Sequence, residues 1–284
     1  MLTVDSITEL RQQVSAWRQQ GQKIALVPTM GNLHDGHLRL VEQAKQHADR
    51  IVVSIFVNPL QFGQGEDFDS YPRTLAADSA KLEQVAADLL FAPPVEEVYP
   101  RGHGVATQIE VPEVSEGLCA ESRPALFTGV ATVVAKLFNM VQPDCALFGE
   151  KDYQQLQVIR RMVADLCFAV EIIAVPTMRE ADGLAMSSRN GYLSVAEREI
   201  APQLYQALQL VAQGLAQGRR DYAALEQEGG EFLAAAGFVP EYFSIRQTDS
   251  LKVAKQDMAE VVILAAARLG KTRLIDNLAC SLVE

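Results

Sequence analysis

Ile24-Ala25-Leu26-Val27-Pro28-Thr29-Met30-Gly31-Asn32-Leu33-His34-Asp35-Gly36-His37-Leu38 joins an apolar run to a polar, glycine-containing turn. The first four residues read as a buried strand, and the pattern from His37 onward reads as a helix. A strand that stops in such a turn and restarts as a helix aims backbone N–H groups at whatever lies above the sheet, the usual arrangement for binding phosphate. His34 and His37 add donors to that turn. A lone histidine near a helix start is ordinarily an idle polar residue. Here three-residue spacing predicts both rings on one helical face, and the chain has only four histidines. Metal binding is the weaker reading, since no acidic or cysteine partner stands at ligand spacing.

Outward from this turn, strand and helix alternate. Strands are predicted at 23–29, 50–57, 88–92, 144–148 and 170–176, and helices at 37–48, 74–87, 126–141 and 153–166. Ser6-Ile7-Thr8-Glu9 is a capping box opening an earlier helix that Gly21 closes. The strands are continuous Val/Ile/Leu/Ala runs, as expected when helices cover both faces of a parallel sheet. The fold class is therefore α/β: an N-terminal doubly wound, Rossmann-like domain over 1–177, with ligands at the carboxyl ends of its strands. A smaller α+β domain is expected over 178–284. It comprises one long helix at 195–217, a second at 222–236, and strands at 242–246, 261–267 and 272–278.

Bulk properties narrow the function. The chain has 284 residues, nearly half of them hydrophobic, and a net charge of −11. Such a surface repels nucleic acid, so no nucleic-acid partner is expected. Charges from Asp5 onward rule out a secretory h-region, and no apolar run reaches membrane-spanning length. Cys119, Cys145, Cys167 and Cys280 are scattered, which suits buried free thiols in a reducing, cytoplasmic compartment. GxGxxG, GxxxxGK[ST], GxSxG and HExxH motifs are all missing, which argues against a dinucleotide dehydrogenase, a P-loop kinase, an α/β-hydrolase and a zincin.

Three further segments carry chemistry. Phe148-Gly149-Glu150-Lys151-Asp152-Tyr153-Gln154-Gln155 sits at another strand-to-helix junction. A lysine there opposes the positive end of the helix dipole unless an anion neutralises both. Leu184-Ala185-Met186-Ser187-Ser188-Arg189-Asn190 offers two hydroxyls and a planar guanidinium, suited to phosphate oxygens and to a mobile clamp at the domain junction. Asn58-Pro59-Leu60-Gln61 follows the second strand of the alternating series, where Gln61 can exchange hydrogen bonds with a small hydroxy acid. Arg123 is a further anion-ligand candidate.

A histidine pair of the HxGH type with a serine-and-basic loop resembles the nucleotidyltransferase/class I synthetase superfamily. PTMGNLHDGHL, SIFVNPLQF, DFDSYPRT, FGEKDYQQL and LAMSSRNGYL, in this order and spacing, are similar to the pantoate–β-alanine ligase family. The resemblance implies ATP-dependent condensation of (R)-pantoate with β-alanine through a pantoyl adenylate, releasing AMP and diphosphate. It implies that Met30, Gly31, Asn32, Leu33, His34, Asp35, Gly36 and His37 form the ATP loop, with His37 as proton donor. Gly149, Glu150, Lys151 and Asp152 would line the nucleotide, Lys151 neutralising the reacting phosphate. Met186, Ser187, Ser188 and Arg189 would close over the phosphates, and Met178 would lie against the adenosine. His34, His37, Lys151 and Arg189 would carry catalysis. Gln61 and Gln155 would bind pantoate, Gln61 also lying near β-alanine. Mg²⁺ would accompany ATP, held through water by Asp78 or Asp69, with no metal ligand singled out. A homodimer is also implied.

The superfamily's lysine-rich loop is altered here, with Ala185 and Ser188 at its lysine positions. That counts against an aminoacyl-tRNA synthetase. An HxGH nucleotidyltransferase acting on a coenzyme precursor is the alternative enzyme, and an idle nucleotide-binding scaffold the alternative of another class.

Overall fold

The computed structural model describes residues 1–63, 65–66 and 68–282. Asp67, the first residue of the DFDSYPRT motif, lies outside them. The chain divides into two compact units, residues 1–150 with 158–176, and residues 151–157 with 177–284.

The first unit is a six-stranded sheet. In chain order its elements are β1 (Leu2–Val4), α1 (Ile7–Gln19), β2 (Ile24–Thr29), α2 (Asp35–Ala44), β3 (Arg50–Ile55), α3 (Leu75–Gln84) and β4 (Leu89–Phe91). The short helices α4 (Val95–Val98) and α5 (Cys119–Ser122) precede α6 (Leu126–Val141), β5 (Cys145–Gly149), α7 (Tyr153–Asp165), whose first five residues group with the second unit, and β6 (Glu171–Val175). The strand order is β1-β4-β3-β2-β5-β6, and every pairing is parallel. Ile24, Ala25, Leu26 and Val27 are each fully buried, as their uninterrupted apolar run requires.

The winding reverses between β2 and β5, so their carboxyl ends form the switch point where such sheets bind ligands. The two strands pair only at Ala25 with Cys145 and Leu26 with Ala146. Their last three residues run on without pairing to each other, which opens a crevice.

The sequence pattern does not reveal β1, which is three residues long and at the edge of the sheet. At α1, Ser6 Oγ accepts the N–H of Glu9 at 3.3 Å and donates to its carboxylate at 2.8 Å. Helix α2 begins two residues earlier than its hydrophobic pattern suggests, because His34 supplies the cap.

The second unit contains α8 (Val195–Ile200), α9 (Gln203–Ala216), α10 (Tyr222–Ala235) and an antiparallel sheet of β7 (Val239–Arg246), β8 (Glu260–Leu269) and β9 (Thr272–Ser281), in that order. The single long helix expected at 195–217 is two helices. Pro202 has no N–H to continue the ladder and instead starts α9. Leu204, Leu208 and Val211 of α9 pack with Leu225 and Leu233 of α10 and with Val261, Ile263 and Ala265 of β8.

Among the described residues no helix is long and apolar enough to cross a membrane. All four cysteines are free, but only Cys119 and Cys145 are buried. Cys167 is exposed, against the expectation of uniformly buried thiols.

Candidate active site

The histidine turn is built by mutual capping. His34 is extended, with φ −126° and ψ 173°, and forms the N-cap of α2. Its Nδ1 accepts the N–H of Gly36 at 3.2 Å, while His37 Nδ1 accepts the N–H of His34 at 3.3 Å. The rings meet at a centroid distance of 4.1 Å and an angle of 43°. The expectation that both rings sit on one face of the helix is corrected: His34 precedes the helix, and capping rather than helical spacing brings the rings together. With each Nδ1 accepting, the neutral tautomer carries its proton on Nε2. The pair therefore offers Nε2–H donors beside a helix N-terminus.

The loop before the histidines is clamped by α3. Asn32 has φ +49°, in the left-handed region that asparagine tolerates. Its N–H and that of Leu33 donate to the Asp78 carboxylate at 2.9 and 2.8 Å, and the Thr74 hydroxyl donates to the same carboxylate at 3.0 Å. Lys81, three residues along α3, donates to the Leu33 carbonyl at 2.6 Å. Asp78 is only 1% exposed. Asp78 is thus an anchor of the loop, its oxygens already receiving three donors. Asp69 is exposed, and the described residues contain no group of three His, Cys, Asp or Glu that could hold a metal.

A second network fixes Gln61, in the 3₁₀ turn Pro59–Gln61. Buried Asn58 donates to the Gly129 carbonyl at 3.0 Å and to Gln61 Oε1 at 3.2 Å, and accepts from the Tyr99 hydroxyl at 2.8 Å. This sets the Gln61 amide with Nε2 as its donor side, 2.9 Å from the Met30 sulfur. Burial holds the Tyr99 phenol protonated, well above its ordinary range. Helix α6 approaches this turn closely through Gly129, where a Cβ would lie 2.7 Å from the Gln61 nitrogen and nearer still to the Leu60 carbonyl.

Arg123 is engaged within the protein. Its guanidinium binds both oxygens of Glu66, at 2.8 and 2.5 Å, and donates to the Gln61 carbonyl at 3.1 Å.

Gly149 closes β5 and Glu150 follows it, at the switch point beside the loop that leaves β2. The first unit thus gathers Met30 to His37, Gln61, Gly149 and Glu150. The second unit holds Lys151, Asp152, Gln155, Met178, Met186, Ser187, Ser188 and Arg189.

Lys151 lies in the 3₁₀ turn Glu150–Asp152, its amine 4.0 Å from the Asp152 carboxylate. Ser187 caps another 3₁₀ turn, Ser188–Tyr192, by accepting the Arg189 N–H at 3.2 Å. Gln155 is half-buried on α7, between buried Gln154 and Leu156. Met178 is 38% exposed.

The residues that sequence reasoning missed are Asp78 and Lys81 as loop clamps, and Asn58, Tyr99 and Gly129 behind Gln61. Only the three-residue spacing of Asp78 and Lys81 on a helical pattern gave any hint.

A doubly wound parallel sheet whose switch-point loop presents a helix N-terminus and two donor histidines defines a phosphate- and nucleotide-binding α/β protein. The family model for pantoate-beta-alanine ligase matches residues 2–279. Pantothenate synthetase of Pseudomonas putida (strain GB-1) is 58% identical over 284 residues, covering 100% of this chain and 99% of the relative. That of Marinobacter nauticus is 58% identical over 278 residues, covering 98% and 99%.

Among solved structures, pantothenate synthetase from Thermus thermophilus superposes with a TM-score of 0.92 at 48% identity, covering 98% of this chain and 99% of that one. Pantoate-beta-alanine ligase from Francisella tularensis, complexed with beta-gamma ATP and beta-alanine, gives 0.82 at 34% identity, covering 98% and 97%. The chain belongs to the pantoate–β-alanine ligase family.

Proposed function

We infer that this chain is an ATP-dependent ligase that joins (R)-pantoate to β-alanine, forming pantothenate, AMP and diphosphate. The observation that carries the reading is the family match over residues 2–279, and the switch-point loop supplies a physical basis for it. A carboxylate does not acylate an amine at neutral pH, because its oxygen leaves poorly. Attack of a pantoate carboxylate oxygen on the α-phosphorus of ATP expels diphosphate and leaves a mixed anhydride. The β-alanine amine then attacks the acyl carbon, AMP departs with that oxygen, and the surplus amine proton passes to water.

Negative charge grows on the phosphates in the first step, so preorganised donors are what accelerate it. His34 and His37 supply Nε2–H groups beside the α2 N-terminus; in its imidazolium form, which frees the His34 N–H from Nδ1, His37 gives its Nε2 proton as diphosphate leaves and returns to the neutral ring. Met30, Gly31, Asn32, Leu33, Asp35 and Gly36 shape the loop around the nucleotide, held by Asp78 and Lys81. Gly149, Glu150 and Asp152 line it further. Lys151, Ser187, Ser188 and Arg189 neutralise the phosphates, with Met186 beside them and Met178 against adenosine. The Gln61 amide, already oriented by Asn58, donates to pantoate and lies near β-alanine, while Gln155 completes the pantoate site. The domain carrying the Met186–Arg189 loop acts as the lid.

Mg²⁺ enters with the triphosphate. The three donors on Asp78 speak against a dedicated carboxylate cage, and the ion would supply charge neutralisation on ATP. The same reading takes the protein as a cytoplasmic homodimer with small-molecule substrates and no nucleic-acid or membrane partner. The net charge of −11 supports the lack of a nucleic-acid partner, and the free thiols support the cytoplasmic placement.

Exchange of labelled diphosphate into ATP tests the reading. It should require pantoate and proceed without β-alanine. Exchange without pantoate, or a dinucleotide product, would overturn it.

A further inference from the structure

Two segments assigned to the phosphates, Lys151 and the Met186–Arg189 loop, are held by neighbouring residues of one strand. Asp276, on β9, is 3% exposed and receives both terminal nitrogens of Arg179, at 2.6 and 3.0 Å. Arg179 stands at the root of the loop. It forms a bridge with Ala185, donates to the Gly183 carbonyl at 3.1 Å, and stacks 3.5 Å over the Tyr205 ring. Met186 follows immediately, its N–H bonded to the Met178 carbonyl at 3.0 Å.

Asn277 is the next residue of β9. Its side-chain amide donates to the Lys151 carbonyl at 2.9 Å, and its own N–H caps Asp276 at 2.8 Å. The Tyr153 hydroxyl adds a bond to the Thr248 carbonyl at 2.9 Å, fastening the same segment again. β9 itself is paired with β8 along all ten of its residues.

We propose that Asp276 and Asn277 are positioning residues for adenylation, setting the spacing between Lys151 and the Ser187–Arg189 loop. This rests on the phosphate roles given to those segments above. A buried ion pair adds little stability beyond what apolar side chains of the same volume would give. Its value lies in direction: a bidentate guanidinium–carboxylate pair fixes an angle as well as a distance. Burial raises the Asp276 carboxyl and the Arg179 guanidinium opposes that shift, so the pair holds only while both partners remain.

The test uses the full-length protein and measures each half-reaction alone. Adenylation is read by pantoate-dependent diphosphate exchange, and transfer by mixing separately prepared pantoyl adenylate with β-alanine. Asn277→Ala removes the contact to Lys151 without burying a charge. Arg179→Met with Asp276→Leu replaces the pair by apolar volume.

Misplacement by about an ångström costs up to roughly 100-fold. Asn277→Ala should slow adenylation about tenfold and the double variant about 100-fold, with transfer within about twofold of the parent. Unfolding midpoints should stay within about 3 °C. Parental adenylation rates in Asn277→Ala, or equal loss of both half-reactions in step with lost folded protein, would overturn the proposal. If the double variant does not fold, Asn277→Ala alone decides. A parent protein without pantoate-dependent exchange would instead refute the ligase reading, so the two failures are distinguishable.

Discussion

Asp78 holds the backbone of Asn32: its carboxylate receives that N–H at 2.9 Å while the asparagine sits at φ +49°. The same side chain takes the N–H of Leu33, so one buried acid fixes the two residues that lead into the histidine turn. Removing it strands two N–H groups away from water. Asp78→Ala should therefore lower stability by about 2 kcal/mol or more in denaturant unfolding and raise the KM for ATP. A variant with parental stability and parental KM would show that the clamp is dispensable.

His34 caps a helix and is also assigned to phosphate, and substitution separates the two tasks. Asparagine is a good N-cap but lacks an Nε2 donor. His34→Ala should cost about 1 kcal/mol, whereas His34→Asn should cost only a few tenths. Both should slow adenylation alike. If His34→Asn recovers rate together with stability, His34 is a cap and nothing more.

His37→Ala removes the assigned proton donor. Single-turnover adenylation should fall by roughly 100-fold, the scale for a positioned acid, with circular dichroism unchanged. Near-normal turnover in a folded variant would remove His37 from the mechanism.

Gly129 lets α6 touch the turn that carries Gln61. In Gly129→Ala the new methyl meets backbone rather than a pliable side chain. Overpacking of this kind costs about 1–3 kcal/mol, and the displaced turn should raise the KM for pantoate more than that for ATP. Unequal change in the opposite sense would place Gln61 outside the pantoate site.

Thiol reactivity follows exposure and charge. Burial, then the nearby Glu171 and Asp144 carboxylates, push the Cys145 thiol up to about 11, and burial pushes Cys280 to about 11. Only thiolate attacks, so at pH 8 both are almost wholly protonated and slow. A disulfide reagent with peptide mapping should label exposed Cys167 first, and Cys145 and buried Cys119 only after unfolding. Rapid labelling of Cys145 in the native state would contradict its burial.

The parallel sheet was legible because its strands are uninterrupted apolar runs, and the histidine turn because His34, Gly36 and His37 lie within four residues. What lay hidden depends on contacts distant in sequence. Nothing local to Asp78 says that its helix face meets a loop 45 residues earlier, and the family resemblance offered it only as an alternative to Asp69 for magnesium. Arg123 read as a spare cation because Glu66 is 57 residues away. The break in the 195–217 helix was within reach, since Pro202 carries it in plain view, but the Ala/Gln/Leu pattern on both sides masked it. Arg179 and Asp276 are 97 residues apart and pair only through the C-terminal sheet.

Oxygen bookkeeping tests the adenylate mechanism most directly. Pantoate labelled with ¹⁸O in its carboxylate is turned over with ATP and β-alanine, and the products are weighed by mass spectrometry. Attack on the α-phosphorus sends one labelled oxygen into AMP, with the other kept in the amide carbonyl of pantothenate. Unlabelled AMP, or label appearing in inorganic phosphate alongside ADP, would contradict it.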